Sequence, residues 1–267
     1  LKTENKLSLS SENSDFNLLC LPTDNFPTFA DEFEGSEIEL NKNNFLKLLN
    51  KTKIAISNDD TRHYLNGIYL HLTEGHGRNF LTGVATDSHR LSSSSIEIQN
   101  IDDFSSLILP RKTVYQLCSL LAETSEKLFI QTSENKIKFS VGNIKLVSKV
   151  IDGKFPDYKK VVPTNHDKSL IVSSKDFISS IERVTSVSLD RKEGVKLVIN
   201  KENIQLSVNS ASSGEGNEVI KANFNSTNMT ISFNSKYLID IAAGVEDKNL
   251  KMNLKDSPSP VLVEDDA

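Results

Sequence analysis

The sequence predicts an α+β fold made of tandem copies of one domain, each with two helices packed on antiparallel sheets. Three observations predict it. Segments recur at a spacing of about 130 residues, one domain length rather than the few tens of residues of a solenoid unit. Each copy holds two stretches with apolar residues at helical period. The remainder alternates and is punctuated by turn signals, as antiparallel strands are. The clearest repeat is LLCLPTDNFPTF, from Leu18 to Phe29, against VSKVIDGKFPDY, from Val147 to Tyr158. Around it, Lys6–Ser10 answers Lys136–Ser140, Phe45-Leu46 answers Phe177-Ile178, and the start of VYQLCSLL answers the start of YLIDIAAG.

The elements follow in order. Phe45, Leu48, Leu49 and Thr52 share one face of a first helix, for which Asn41 is an N-cap. Tyr64–Leu72 and Phe80–Val84 read as strands, with Gly75 and Gly77 marking the hairpin tip between them. Pro110 suits the start of a second helix, striped by Val114, Leu117, Cys118 and Leu121. Lys136–Val141 and Ile144–Val150 flank Gly142-Asn143, a two-residue hairpin signal. In the next copy, Ser173 and Asp176 form a short capping box before Phe177, Ile178, Ile181 and Val184. Strands Val195–Asn200 and Ile204–Val208 follow, then a helix striped by Leu238, Ile241, Ala242 and Val245. The repeat sets the domain expectation: 1–34 the C-terminal remnant of a first domain, 35–158 a middle domain, 159–267 a third domain lacking its final strand.

Composition narrows the function. The chain has 267 residues, 37% of them hydrophobic, enough for two ordinary cores. A net charge of −5 argues against a tight non-specific nucleic-acid binder, though not against a local basic face. Two cysteines, Cys20 and Cys118, make no disulfide framework, which favours a reducing, cytoplasmic setting. No apolar run approaches the roughly 20 residues that cross a bilayer.

One charge pattern stands out. Lys42, Arg111 with Lys112, Lys175 and Lys236 each fall in a predicted first helical turn, where the helix dipole disfavours cations. Lys47 and Lys51 add a like-charged i, i+4 pair on the first helix. Ordinary solvated surface explains any one of these, whereas the set suggests helices facing a polyanion.

Enzyme signatures are weak. Asp87, Ser88 and His89 are consecutive, so their side chains point apart instead of forming a triad. His71, Glu74 and His76 sit around a hairpin tip, where a solvated loop is the simpler reading than a metal site. Gly214-Glu215-Gly216 lacks the Lys-Ser/Thr of a phosphate loop. The acidic runs Asp59-Asp60 and Glu264-Asp265-Asp266 have no evident partner in the sequence.

Four ordered motifs carry a resemblance. These are NDDTRHYLNG (58–67), TDSHRL (86–91), LPRK (109–112) and DGKFPDY (152–158). In this order and spacing the chain resembles the bacterial DNA polymerase III beta subunit family, the sliding clamps. The resemblance implies a non-enzymatic processivity factor without cofactor, a ring of two three-domain subunits encircling duplex DNA. It implies DNA-facing roles for Arg62, His63, Arg111, Lys112, Lys47 and Lys51. It also implies a peptide groove between the middle and third domains. The middle domain supplies Tyr64, Leu65, Thr86, His89, Arg90 and Leu91. The other wall carries Pro156, Lys160, Val161 and Pro260, with Asn234 and Tyr237 beside it. The implied occupants are short Gln/Leu/Phe segments of the polymerase III catalytic subunit, clamp loader, other polymerases and repair proteins. Three positions depart from the family pattern: His63 where Tyr is common, Ser88 where Gly is usual, and Lys160 in place of Arg. The competing reading is a duplicated α+β ligand-binding protein or enzyme with Asp87, His89 and Arg90 in a pocket.

Overall fold

Two helical stripes and a run of alternating strands recur in each copy, and the backbone realises both copies with the same element order. The computed structural model describes residues 2, 3, 5–26, 33, 37–99, 104–188 and 194–265. Pro27 and Phe29 of the repeated segment, and Asp266 of the acidic run, lie outside the described residues. The chain divides into Leu1–Gly35 and Ser36–Ala267. In the smaller unit, β1 (Lys2–Thr3), β2 (Lys6–Ser11) and β3 (Ser14–Leu19) form an antiparallel sheet.

In the larger unit the first module runs β4 (Ile38–Leu40), α1 (Lys42–Thr52), β5 (Gly67–Gly75), β6 (Arg78–Thr86), β7 (Leu91–Ile98), β8 (Leu107–Pro110), α2 (Arg111–Ala122), β9 (Leu128–Thr132), β10 (Lys136–Val141) and β11 (Ile144–Lys149). The second runs β12 (Lys168–Ser173), α3 (Ser174–Thr185), β13 (Gly194–Ile199), β14 (Asn203–Ser210), β15 (Gly214–Phe224), β16 (Met229–Asn234), α4 (Ser235–Gly244), β17 (Asn249–Leu254) and β18 (Leu262–Val263). Sheet order repeats as well: β7-β6-β5-β8 corresponds to β15-β14-β13-β16, and β4-β9-β10-β11 to β12-β17-β18. All pairings are antiparallel. In the second module the long β15 bends from β14 onto β12 and joins both sheets into one of seven strands.

The predicted stripes of α1 and α2 are the buried ones, whereas Ile178 on α3 and Ile241 on α4 are only partly buried and Val245 falls at the C-cap, just past α4. Phe45, Leu48, Leu49 and Thr52 are fully enclosed, as are Val114, Leu117 and Leu121. Each such apolar side chain contributes roughly 1.5–3 kcal/mol by leaving water. Asn41 accepts from the Asn44 amide and Ser173 from that of Asp176, so both N-caps form. Pro110 takes the N-cap position, one residue earlier than a first helical residue. Gly83 lets α1 lie close on β6, since a Cβ there would stand 2.5 Å from Leu48 Cδ2. Tyr64 and Leu65 differ from the strand expectation. They end a 3₁₀ segment, Asp60–Leu65, whose N-cap Asp59 accepts from the Thr61 amide. Side chain–backbone bonding of this kind competes with strand pairing.

Each module has its own core. A third cluster lies on the other face of the β5–β6–β8 sheet: Leu65, Val84, Ile108 and Phe155, flanked by Tyr64, Tyr69, Leu91, Ile151 and Tyr158. It is the connector between modules folded back onto the sheet. Ile151 N–H donates to Ile108 O at 2.9 Å, Phe155 stacks on Tyr69 with ring centroids 4.9 Å apart, and Tyr158 meets His71.

Candidate functional site

The turn after β6 is built by its own side chains. Asp87 Oδ1 accepts from the His89 and Arg90 amides, both at 2.9 Å, and Thr86 Oγ1 donates to Arg90 O at 2.8 Å. Ser88 sits at φ +77°, where glycine is favoured, and its hydroxyl meets Arg62 Nη1. Short polar residues closing on their own backbone make a rigid corner, and that corner aims Arg90 at the second module.

Arg90 spans the two modules. Its Nε lies 3.2 Å from Asp87 Oδ2, its Nη1 2.9 Å from Asp240 Oδ2 on α4, and its guanidinium 4.2 Å from the Tyr237 ring centroid. The side chain is only 12% exposed. A planar fork stacked on an aromatic and paired at both edges is work lysine could not duplicate. Tyr237 is held in turn by the start of α4, where Asn234 accepts from the Lys236 and Tyr237 amides. Burial, then the nearby Asp87 charge, raises the Tyr237 phenol above its ordinary pKa.

Beside this strut lies a cleft of about 1230 Å³. Leu65, Leu91 and Tyr64 line it from the first module, Pro156 and Val161 from the connector, and Tyr237 and Pro260 from the second module. Thr86, His89 and Arg90 border it too. Val161 is 63% exposed, an apolar side chain left uncovered at the rim. An apolar floor with few polar anchors is the physical form of a site for one or two bulky apolar side chains of a partner segment.

Two groove candidates stand off the wall. Lys160, 81% exposed, turns away to pair with Asp157 at 3.1 Å, and Asn234 is spent on capping α4. The second module adds what the sequence reading missed: Phe233, Leu238, Ile241 and Val261. Leu238 and Ile241 were read as helix core, and no motif separated the wall of a cleft from the interior.

Most of the charged candidates are engaged within the chain. Lys47 and Lys51 do not present free charge along α1. Lys47 Nζ is 2.9 Å from Glu246 and Lys51 Nζ 2.5 Å from Asp265, both carboxylates of the second module. Lys51 is 18% exposed, and the acidic run thereby has its partner. Arg111 is tied to Asn58 and reaches Ser57 O at 3.5 Å. Arg62 borders the cleft, bound to Asp59 at 2.9 Å. The Thr61 hydroxyl and amide, with Arg62, hold the Asp59 carboxyl down at about 2. His63 is exposed and its Nε2 lies 3.1 Å from Asp152 O. Of this group, Lys112 alone is exposed with neither an ion pair nor a side-chain hydrogen bond among the described residues.

The competing pocket is short of free groups, because Asp87 and Arg90 bind the turn and each other. His71 has its ring nitrogens on Leu72 O at 3.0 Å and Tyr158 Oη at 3.1 Å.

Residues 39–157 match the family described as DNA polymerase III beta subunit, central domain, and residues 159–267 its C-terminal domain. The chain belongs to the bacterial beta sliding clamps. The beta sliding clamp of Caulobacter vibrioides strain NA1000 is 33% identical over 261 residues, covering 97% of this chain and 70% of that protein. That of Escherichia coli K12 is 32% identical over 262 residues, covering 98% and 70%. Among solved structures, a Bartonella birtlesii sliding clamp bound to griselimycin superposes with a TM-score of 0.91 at 38% identity, covering 97% of this chain and 70% of that one. A Caulobacter crescentus clamp gives 0.93 at 32%, covering 100% and 71%. In this clamp, then, the cleft and its strut lie where the family's central and C-terminal domains meet.

Proposed function

We propose that this chain works as part of a DNA-encircling processivity factor, without catalysis, in the cytoplasm. Residues 35–158 and 159–267 act as the middle and third of three clamp domains, and two full-length subunits close the ring. Retention by topology suits an acidic protein. A strongly basic lining would add affinity that falls steeply with salt and would hinder sliding. Partners (the polymerase III catalytic subunit, the clamp loader, other polymerases and repair proteins) dock short Gln/Leu/Phe segments in the interdomain cleft.

The observation that supports this most directly is the cleft itself, with Leu65, Leu91 and Val161 around one apolar floor and Thr86 and His89 at its border. Fluorescence anisotropy with a labelled peptide carrying a Gln and a Leu-Phe pair tests it. Binding is expected in the micromolar range, about −8 kcal/mol. Leu91→Asp places a charge on the floor and should weaken binding at least about tenfold. Equal binding of a scrambled peptide, or no effect of Leu91→Asp in a folded variant, would overturn the docking role.

A further inference from the structure

One hairpin of the first module carries more charge than its fold requires. β10 and β11 pair with Lys136 opposite Lys149, Lys138 opposite Val147 and Ser140 opposite Lys145. Ile137, Phe139 and Val141 are buried in the module's core, and Ser148 Oγ lies 2.7 Å from Thr113 Oγ1 on α2. Alternation therefore turns the four lysines and Val147 to the other face of the sheet, away from the helices. Lys145 and Lys149 are exposed and Lys136 is partly so. These three make no ion pair among the described residues. Among the same residues the register places one carboxylate on this face, Glu39 on the far strand β4, and Lys127 already pairs with it at 2.9 Å. Glu134 stands in the turn between β9 and β10.

Two ordinary explanations fall short. Lysine on an edge strand discourages pairing with another chain, and β11 is an edge of its sheet. That accounts for Lys145 and Lys149 but not for Lys136 and Lys138, whose strand is paired on both sides. Nor does the hairpin itself demand cations. Its repeat in the smaller unit, β2 and β3, has the same register, with Lys6 opposite Leu19, Ser8 opposite Asn17 and Ser10 opposite Asp15. One cation and one acid stand there where the first module has four cations. Like charges directly opposite each other destabilise a sheet, so the Lys136–Lys149 pair opposes the fold instead of serving it.

We infer that this face docks an acidic segment of a partner protein. Along β10, Lys136 and Lys138 stand roughly 7 Å apart, and Lys149 faces Lys136 across about 5 Å. Alternate side chains of an extended segment repeat at the same interval as alternate residues of the strand beneath. Carboxylates at every second position can therefore meet successive lysines as the segment lies along the hairpin. Lysines serve as point charges on flexible stems, so the contact reads acidity and spacing rather than an exact sequence. Phe129, the one aromatic that the register places here, is partly buried. With no open ring for bases to stack on, the face suits a polypeptide better than a single nucleic-acid strand. None of the four lysines lines the interdomain cleft.

Fluorescence anisotropy of this chain at low salt tests it with three labelled probes: a peptide of alternating Glu and Thr, the same peptide with Gln for every Glu, and an oligo-dT strand. The Glu/Thr peptide should bind, more weakly as salt rises, and the Gln/Thr peptide should not. Lys136→Gln combined with Lys149→Gln should weaken binding about tenfold. That double variant removes a like-charge pair, so it should melt no lower than wild type, and it should bind the groove peptide as wild type does. Lys251→Gln, on β17 of the second module, should leave the affinity unchanged. No binding of the Glu/Thr peptide, or equal affinity in wild type and the double variant, would overturn the docking face. So would tighter binding of oligo-dT through the same lysines, which would assign the face to nucleic acid. The groove peptide reports on the cleft separately, so neither result touches the clamp reading.

Discussion

Ser88 holds a backbone angle that costs an L-residue roughly 1–2 kcal/mol, and it is offset in part by the hydroxyl it offers Arg62. The family resemblance marked the departure from glycine, and the structure shows what the serine does with it. Two substitutions separate the terms. Ser88→Gly relieves the strain and loses the bond, whereas Ser88→Ala keeps the strain and loses the bond. Ser88→Gly is therefore expected to be more stable than Ser88→Ala by about 1 kcal/mol in chemical denaturation. Equal stabilities would show that the turn is not strained at this residue. Arg90 teaches a second lesson at this scale. Its motif was legible as TDSHRL, but its partners were not, because Tyr237 and Asp240 lie about 150 residues away on a helix whose sequence shows only an ordinary Lys236–Asp240 pair.

Among elements, helices and most strands could be read because their periods are set by local burial: the α1 and α2 stripes are the residues that disappear from solvent. The connector could not. Its ring stack joins Phe155 to Tyr69 and Tyr69 to His71, with centroids 4.9 and 4.7 Å apart, and these residues share no local pattern. His71 was weighed as a metal ligand. It is instead a half-buried ring, pinned by Leu72 O and Tyr158 Oη, with Lys159 nearby. Burial lowers its pKa, and the Lys159 charge adds to this. The unfolded chain, with a histidine near 6.5, takes up the proton first as pH falls. Stability attributable to neutral His71 is thus present above about 6.5 and is lost on acidification below it. His71→Phe retains a ring in the stack and cannot titrate. Between pH 7 and 5 the wild type should lose more melting temperature than His71→Phe, the carboxylates being common to both. Parallel loss in the two proteins would remove His71 from the pH response.

At the scale of the molecule, the two modules belong to one compact unit, and named ion pairs join them. Arg90 meets Asp240, Lys47 meets Glu246, and Lys51 meets Asp265. The basic pair on α1 was legible but its carboxylate partners were not, because a sequence shows the sign of a charge and not its distant partner. The three pairs differ in weight. Lys47–Glu246 is solvated at both ends and is worth at most about 1 kcal/mol. Lys51–Asp265 and Arg90–Asp240 are largely enclosed, so removing one partner leaves a carboxylate in a poor environment. Asp240 retains Lys236 at 2.9 Å when Arg90 is lost, whereas Asp265, 13% exposed, loses the Lys51 ammonium at 2.5 Å. Lys51→Ala should accordingly cost more than Lys47→Ala, by about 1–2 kcal/mol. Combined with Arg90→Ala, it should split the calorimetric transition into two, one for each module's separate core. The groove draws its walls from both modules, so that double variant should also lose peptide affinity at temperatures where both modules remain folded. A single sharp transition in the double variant, with peptide binding intact, would show that apolar contact alone joins the modules.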